Sequence, residues 1–136
     1  IYFREVICRA MATARVQFLT IEGCMFEDDG AALVESVSQG RGPKELCFED
    51  GHPFGSSERF VTFMNALRGN DHLERLELHG IQDRQVTQAL AAALRENKGL
   101  VHLTVKFFTL DDSDRTEILK ALYMHPSLRS LDLKIE

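Results

Sequence analysis

A chain of 136 residues with a formal net charge of −5 has room for one globular or repeat domain, and no apolar run approaches the roughly 20 residues of a membrane-spanning helix. An acidic chain with 8% aromatic residues is a poor fit to nucleic acid, whose phosphates call for a broad basic surface. Its three cysteines, Cys8, Cys24 and Cys47, are odd in number and far apart, which argues against a disulfide framework and for a reducing, intracellular and by default cytoplasmic setting.

Residues Tyr2 to Ala14 are mostly helix formers, and Phe3, Val6, Ile7, Ala10 and Met11 fall on one stripe, which predicts an amphipathic helix. A strand over Gln17 to Glu22 follows. Asp28 and Asp29 then stand where either can cap a helix from Gly30 to Ser38 by accepting backbone N–H bonds, and Gly40, Gly42 and Pro43 stop that helix. A second strand, Glu45 to Glu49, leads into EDGHPFGSS, rich in turn formers, and on to a helix from Ser57 to Leu67. Loops that lengthen one unit of a repeating chain often carry binding residues, so Phe54 at this tip is a candidate anchor; the competing reading tucks Phe54 under the loop to patch the core.

The stretch from Leu73 to Asn97, LERLELHGIQDRQVTQALAAALREN, is the clearest unit: a strand marked by Leu73, Leu76 and Leu78, a turn with Asp83 as helix cap, and a helix with Val86, Leu90 and Leu94 at helical spacing. A fourth unit has strand His102 to Lys106, an apolar turn with Phe107, Phe108 and Leu110, and a helix from Ser113 to Met124 ended by His125 and Pro126. A last strand runs from Ser130 to Lys134.

The LxxLxL pattern of the third unit recurs. Its middle position is Leu19, Leu46, Leu76, Leu103 and Leu131, at separations of 27, 30, 27 and 28 residues. Its last position is Ile21, Phe48, Leu78, Val105 and Leu133. Its first is Val16, Pro43, Leu73, Leu100 and Leu128, where only Pro43 breaks the apolar column. A strand that buries one face and a helix with one apolar stripe cannot cover each other completely, so such units must stack. The segments LERLELHGIQDRQVTQALAAAL and LTIEGCMFEDDGAALVESV carry strand, turn and alanine-rich helix in the order of the leucine-rich repeat family, and the whole chain resembles its long-repeat, ribonuclease-inhibitor-like class.

The resemblance implies an α/β fold in which residues 1–136 make one right-handed solenoid, a curved horseshoe segment with a parallel concave sheet of about five strands and helices on the convex face. Strands lie about 4.8 Å apart and helices roughly 8–10 Å, which is why such a stack curves with its strands inside. The family places Asn or Cys three residues after the last strand leucine; here those positions are Cys24, Gly51, Ile81, Phe108 and Glu136, so less regular turns are expected. A helix without its strand at one end and a strand without its helix at the other lead us to expect a piece of a longer solenoid, or ends covered by a partner.

With the leucines turned inward, the residues between them form three columns on the concave face: Phe18, Glu45, Arg75, His102, Ser130; Thr20, Cys47, Glu77, Thr104, Asp132; and Glu22, Glu49, His79, Lys106, Lys134. The third changes sign along the stack, which would orient a charged partner. Acids gather in the strand-to-helix turns and bases in the helix-to-strand turns. Helix termini account for much of that bias, and the acidic surplus suits a partner with a basic patch.

Chemistry is sparse in the sequence. Asp111, Asp112 and Asp114 lack the loop a calcium site needs, no glycine-rich nucleotide motif is present, and no cysteine and histidine spacing matches a zinc site. Cys47, His79 and Glu77 are the best candidates for nucleophilic catalysis, but carboxylates beside a thiol raise its pKa. The expectation is therefore a non-catalytic protein-interaction or scaffold module without cofactor or metal, contacting its partner through Phe18, Glu22, Glu49, Arg75, Glu77, His79, His102 and Lys106, with Phe54 as an outlying candidate. Two alternatives stand beside it. One is a structural subunit permanently held in a larger complex, for which the crowding of Phe60, Phe63 and Met64 on the second helix speaks. The other, implied by resemblance to the Ran activator, is a small-GTPase regulator using Arg75.

Overall fold

The computed structural model describes residues 2–3, 17–21, 25–26, 30–49 and 53–135. Its elements run β1 (Tyr2–Phe3), β2 (Phe18–Ile21), β3 (Met25–Phe26), α1 (Ala31–Ser38), β4 (Glu45–Phe48), α2 (Ser57–Leu67), β5 (Arg75–Ile81), α3 (Arg84–Glu96), β6 (His102–Phe107), α4 (Asp112–Tyr123) and β7 (Ser130–Ile135). Strands β2, β4, β5, β6 and β7 form one parallel sheet in chain order, and β1 and β3 form a separate parallel pair. The four helices of the described residues contact one another in the same sequence, so neighbouring strand-helix units stack in chain order.

The middle leucines of the repeated pattern stand opposite one another from Leu19 through Leu46, Leu76 and Leu103 to Leu131. These residues and the last-position column beside them are buried through β2, β4, β5 and β6, against Leu33 and Val37 of α1, Phe60, Phe63, Met64 and Leu67 of α2, Val86, Leu90 and Leu94 of α3, and Ile118 and Leu122 of α4. On β7, an edge strand, Leu131 and Ile135 remain exposed. The alternation of period two in the strands and the stripe of period 3.6 in the helices thus meet in one continuous apolar layer.

Helix starts follow their caps. Ser56 accepts from Arg59 N, Asp83 from Gln85 N and Asp111 from Asp114 N. α1 differs from expectation: its N-cap is Gly30, at φ +82° and without a side-chain cap bond, while Asp28 and Asp29 lie outside the described residues. Tyr2 and Phe3 are also corrected, since they pair with Met25 and Phe26 as strand rather than opening a helix. The rest of that expected helix, and the turn position Cys24, lie outside the described residues.

The second unit's extra length is used in the core. Phe54 has no exposed surface and sits among Phe48, Phe60 and Phe63, with ring centroids 5.4, 5.2 and 5.2 Å away. Burying a phenyl ring is worth about 1.5–3 kcal/mol, enough to draw the loop tip inward, so Phe54 is not a surface anchor. Phe60, Phe63 and Met64 are equally buried and present nothing to the outside.

One ordering device was absent from the sequence-based expectation. In the turn after α2, buried Asn70 donates Nδ2 to the carbonyls of Val37 and Arg41 and accepts at Oδ1 from the N–H groups of His72 and Leu73. Asn97, after α3, repeats the pattern 27 residues later, donating to Leu67 and Asn70 and accepting from Gly99 and Leu100. Each amide ties its own turn to the previous one and satisfies four backbone groups that burial would otherwise orphan. The turns also touch: a Cβ on Gly99 would lie 2.4 Å from Asp71 Cα, so only glycine fits there. After α4 the same place is taken by His125, whose Nδ1 accepts from Ser127 N at 3.3 Å while its Nε2 has no partner. Burial holds the His125 pKa below its usual value.

Asn97→Ala should lower the unfolding free energy by about 2–4 kcal/mol in urea titrations, against less than about 0.5 kcal/mol for the exposed Lys98→Ala. Phe54→Ala should cost about 3–5 kcal/mol, because the cavity is walled by three rings that cannot collapse into it. His125 favours its neutral form in the fold, so its contribution is full above about pH 6.5 and falls away as acid protonates the unfolded chain preferentially. His125→Asn, which restores the turn amide, should raise the urea midpoint and flatten the decline between pH 7.5 and 5.5; an unchanged pH slope would show that His125 is not its source.

Candidate functional site

Polar and charged side chains between the inward leucines cover the outer face of the sheet. Two of the expected columns are in strict ladder register: Phe18, Glu45, Arg75, His102 and Ser130, and Thr20, Cys47, Glu77, Thr104 and Asp132. The third is interrupted. The β5–β6 ladder leaves register after Leu78 opposite Val105 and resumes at Ile81 opposite Phe107. Two residues of β5, His79 and Gly80, thus stand against one residue of β6, and Gly80 takes φ +75°, a left-handed conformation that glycine adopts without strain. His79 therefore does not stand opposite Lys106, as a straight column requires. Its Nε2 lies 3.8 Å from Oε2 of Glu77 on its own strand.

Of the residues expected on this face, Phe18 is 70% exposed, and Glu49 and Arg75 are also exposed. Glu77, His79, His102 and Lys106 are half-buried. Glu22 lies outside the described residues, and Phe54 belongs to the core. Arg75 Nε reaches Glu45 Oε1 at 2.6 Å across neighbouring strands, and Lys134 Nζ reaches Asp132 Oδ2 at 3.3 Å. Cys47 Sγ donates to Glu77 Oε2 at 3.1 Å, so Cys47, Glu77 and His79 converge on one spot. Beside them Phe18, Thr20, Glu45, Cys47, Arg75 and Glu77 line a shallow depression of about 220 Å³.

The thiol is electrostatically disfavoured as a nucleophile. Burial, the hydrogen bond to Glu77 and the charges of Glu77 and Glu49 push the Cys47 pKa up to about 12, with Lys106 pulling the other way. On the helical side, a second depression of about 220 Å³ between α3 and α4 has both of its arginines engaged. Arg84 Nε lies 3.1 Å from buried Asp114 and 3.7 Å from Asp111, and Arg95 pairs with Glu117. The acidic turns are likewise partly consumed in structure, since Asp83 and Asp111 cap helices and Asp114 is buried against Arg84.

No family model matches the chain, and no curated protein sequence does. Among solved structures, leiomodin-1 actin-binding site 2 has a similar fold, with a TM-score of 0.71 over 95% of this chain and 78% of that one, at 16% sequence identity. The match extends over nearly the whole chain, so the sequential sheet and its layer of helices are an arrangement shared with a known protein. No helix among the described residues is long and apolar enough to cross a membrane.

Cys47 should react with a thiol-directed alkylating reagent at pH 8 roughly a thousandfold more slowly than a free thiol, since the thiolate fraction falls tenfold for each unit of pKa elevation. Glu77→Gln should accelerate it. Labelling of Cys47 faster than a free thiol, resolved by peptide mapping, would reopen a nucleophilic role.

Proposed function

We propose that the chain is a leucine-rich-repeat segment of the ribonuclease-inhibitor-like class and works as a non-catalytic, intracellular protein-interaction module, with the outer face of its sheet as the binding surface. The observation that carries this reading is the composition of that face: one largely exposed aromatic, Phe18, beside a register-locked set of charged side chains including Arg75 and Glu45. Aromatic residues and arginine are enriched at protein interfaces, and fixed charges beside them orient a partner. The Cys47 thiol is held in its protonated form, which favours binding over nucleophilic catalysis on this face.

The similar structure is by name an actin-binding site, which makes actin the first partner to test. The small-GTPase reading would require Arg75 to leave Glu45, 2.6 Å away, and to reach a bound nucleotide. The reading as a fixed member of a larger assembly rests on other residues than Phe60, Phe63 and Met64: Leu119, Tyr123, Met124, Leu131 and Ile135 are exposed on α4, the residue after it and β7.

Co-sedimentation with filamentous actin and fluorescence titration of monomeric actin test the primary reading together. The expected outcome is saturable binding weakened about tenfold or more by Phe18→Ala and by Arg75→Glu, with Gln85→Ala on the helical side neutral. Affinity untouched by either sheet-face substitution would remove the sheet face as the contact surface, and absence of binding to both forms would remove actin as the partner.

A further inference from the structure

We infer that Cys47, Glu77 and His79 form an open binding site for a divalent transition-metal ion of zinc type on the outer face of the sheet. The three donors are 30 and 32 residues apart or adjacent but one in the chain, which is why no spacing motif betrays them. The fold brings them together in two steps. Parallel register sets Cys47 of β4 directly opposite Glu77 of β5, and His79, two residues further along β5 at the bulge, holds its Nε2 3.8 Å from Glu77 Oε2. Sγ, a carboxylate oxygen and a ring nitrogen then all lie within 4.8 Å of one another, with Cys47 to Glu77 at 3.1 Å and His79 to Glu77 at 3.8 Å. Donor atoms around a tetrahedral zinc ion stand roughly 3.3–3.6 Å apart, so small side-chain rotations close the set around one ion.

Nε2 of His79 is shielded from solvent and has no hydrogen-bond partner, because 3.8 Å exceeds bonding distance to the carboxylate. A buried ring nitrogen left in that state calls for an explanation, and a cation that takes its lone pair supplies one. The charges balance as well. Binding replaces the thiol proton by the metal, Cys–SH + M²⁺ giving Cys–S–M⁺ and a proton released to water, and the Glu77 carboxylate neutralises the remaining positive charge. Sulfur, imidazole and a single carboxylate select zinc, cobalt or a similar ion and reject calcium and magnesium, which require oxygen shells. With three protein ligands on an open face, the fourth position is left to water or an incoming side chain.

The inference is independent of the identity of any protein partner. The test is titration of the full chain, reduced, with cobalt(II), followed by displacement with zinc(II). The expected result is one equivalent of cobalt giving a thiolate-to-cobalt charge-transfer band and visible d–d bands of low-symmetry four-coordinate cobalt, both abolished by zinc. Cys47→Ser should remove the charge-transfer band, and His79→Gln and Glu77→Gln should each weaken binding about tenfold or more. Cys8→Ser and Cys24→Ser should leave the spectrum unchanged, and circular dichroism should show every variant folded. No charge-transfer band in excess cobalt, or a band that survives Cys47→Ser in folded protein, would overturn the site.

Discussion

Register between neighbouring strands is the constraint on which the rest of the molecule depends. Each strand of the five-stranded sheet buries one face only, so its inward residues are covered by the helix layer and by their own counterparts one strand away. A slip of one residue would turn every leucine outward, which fixes the pairing from Leu19 to Leu131 as firmly as the core itself. The outer face inherits that order without further cost. Glu45 meets Arg75, and Cys47 meets Glu77, because the leucines beside them meet. Surface chemistry here is a consequence of core packing.

This dependence explains what the amino-acid sequence could disclose. Residues that repeat with the unit, such as Leu76 and Leu78 or the caps Asp83 and Asp111, act through period and local hydrogen bonding, and both are written in one dimension. Residues whose role is set by the neighbouring unit are not. Asn70 and Asn97 recur 27 residues apart, but an asparagine in a polar turn does not show by itself that its amide is buried against the preceding turn. Phe54 is a different case: its three ring neighbours lie in its own unit, on β4 and α2, and the reading that tucks it under the loop is open to the sequence. The bulge at His79 and Gly80 left one trace, a glycine inside a strand pattern, and that trace alone did not say where the histidine would turn.

The outer face is also more self-contained than its formal charges suggest. Arg75, Lys134, Glu45 and Asp132 satisfy one another across or along strands, and the acids of the strand-to-helix turns are divided between capping and pairing. Exposed pairs of this kind contribute little to stability, about 0–1 kcal/mol each, and can be exchanged for contacts with another molecule at small loss. Phe18 has no such internal arrangement to satisfy, since 70% of it faces solvent. The face thus combines one apolar contact with charges that are already arranged in space.

The turn amides have a mechanical meaning. Along the edge where helices run into strands, Asn70 and Asn97 cross-link consecutive units, and Gly99 brings one turn's backbone against the next with no room for a single methyl group. The opposite edge is joined by side chains instead: Ser57 meets Asp83, Arg84 meets Asp114, and Thr109 donates to the Gln82 carbonyl, each between consecutive units. The two margins are therefore held differently, one by buried amides bonded to backbone and the other by polar side chains that meet between helix starts. A bound molecule that alters the spacing of the units should act first on these side-chain contacts, which can rearrange without leaving a buried backbone group unpaired, while the asparagine margin keeps its length.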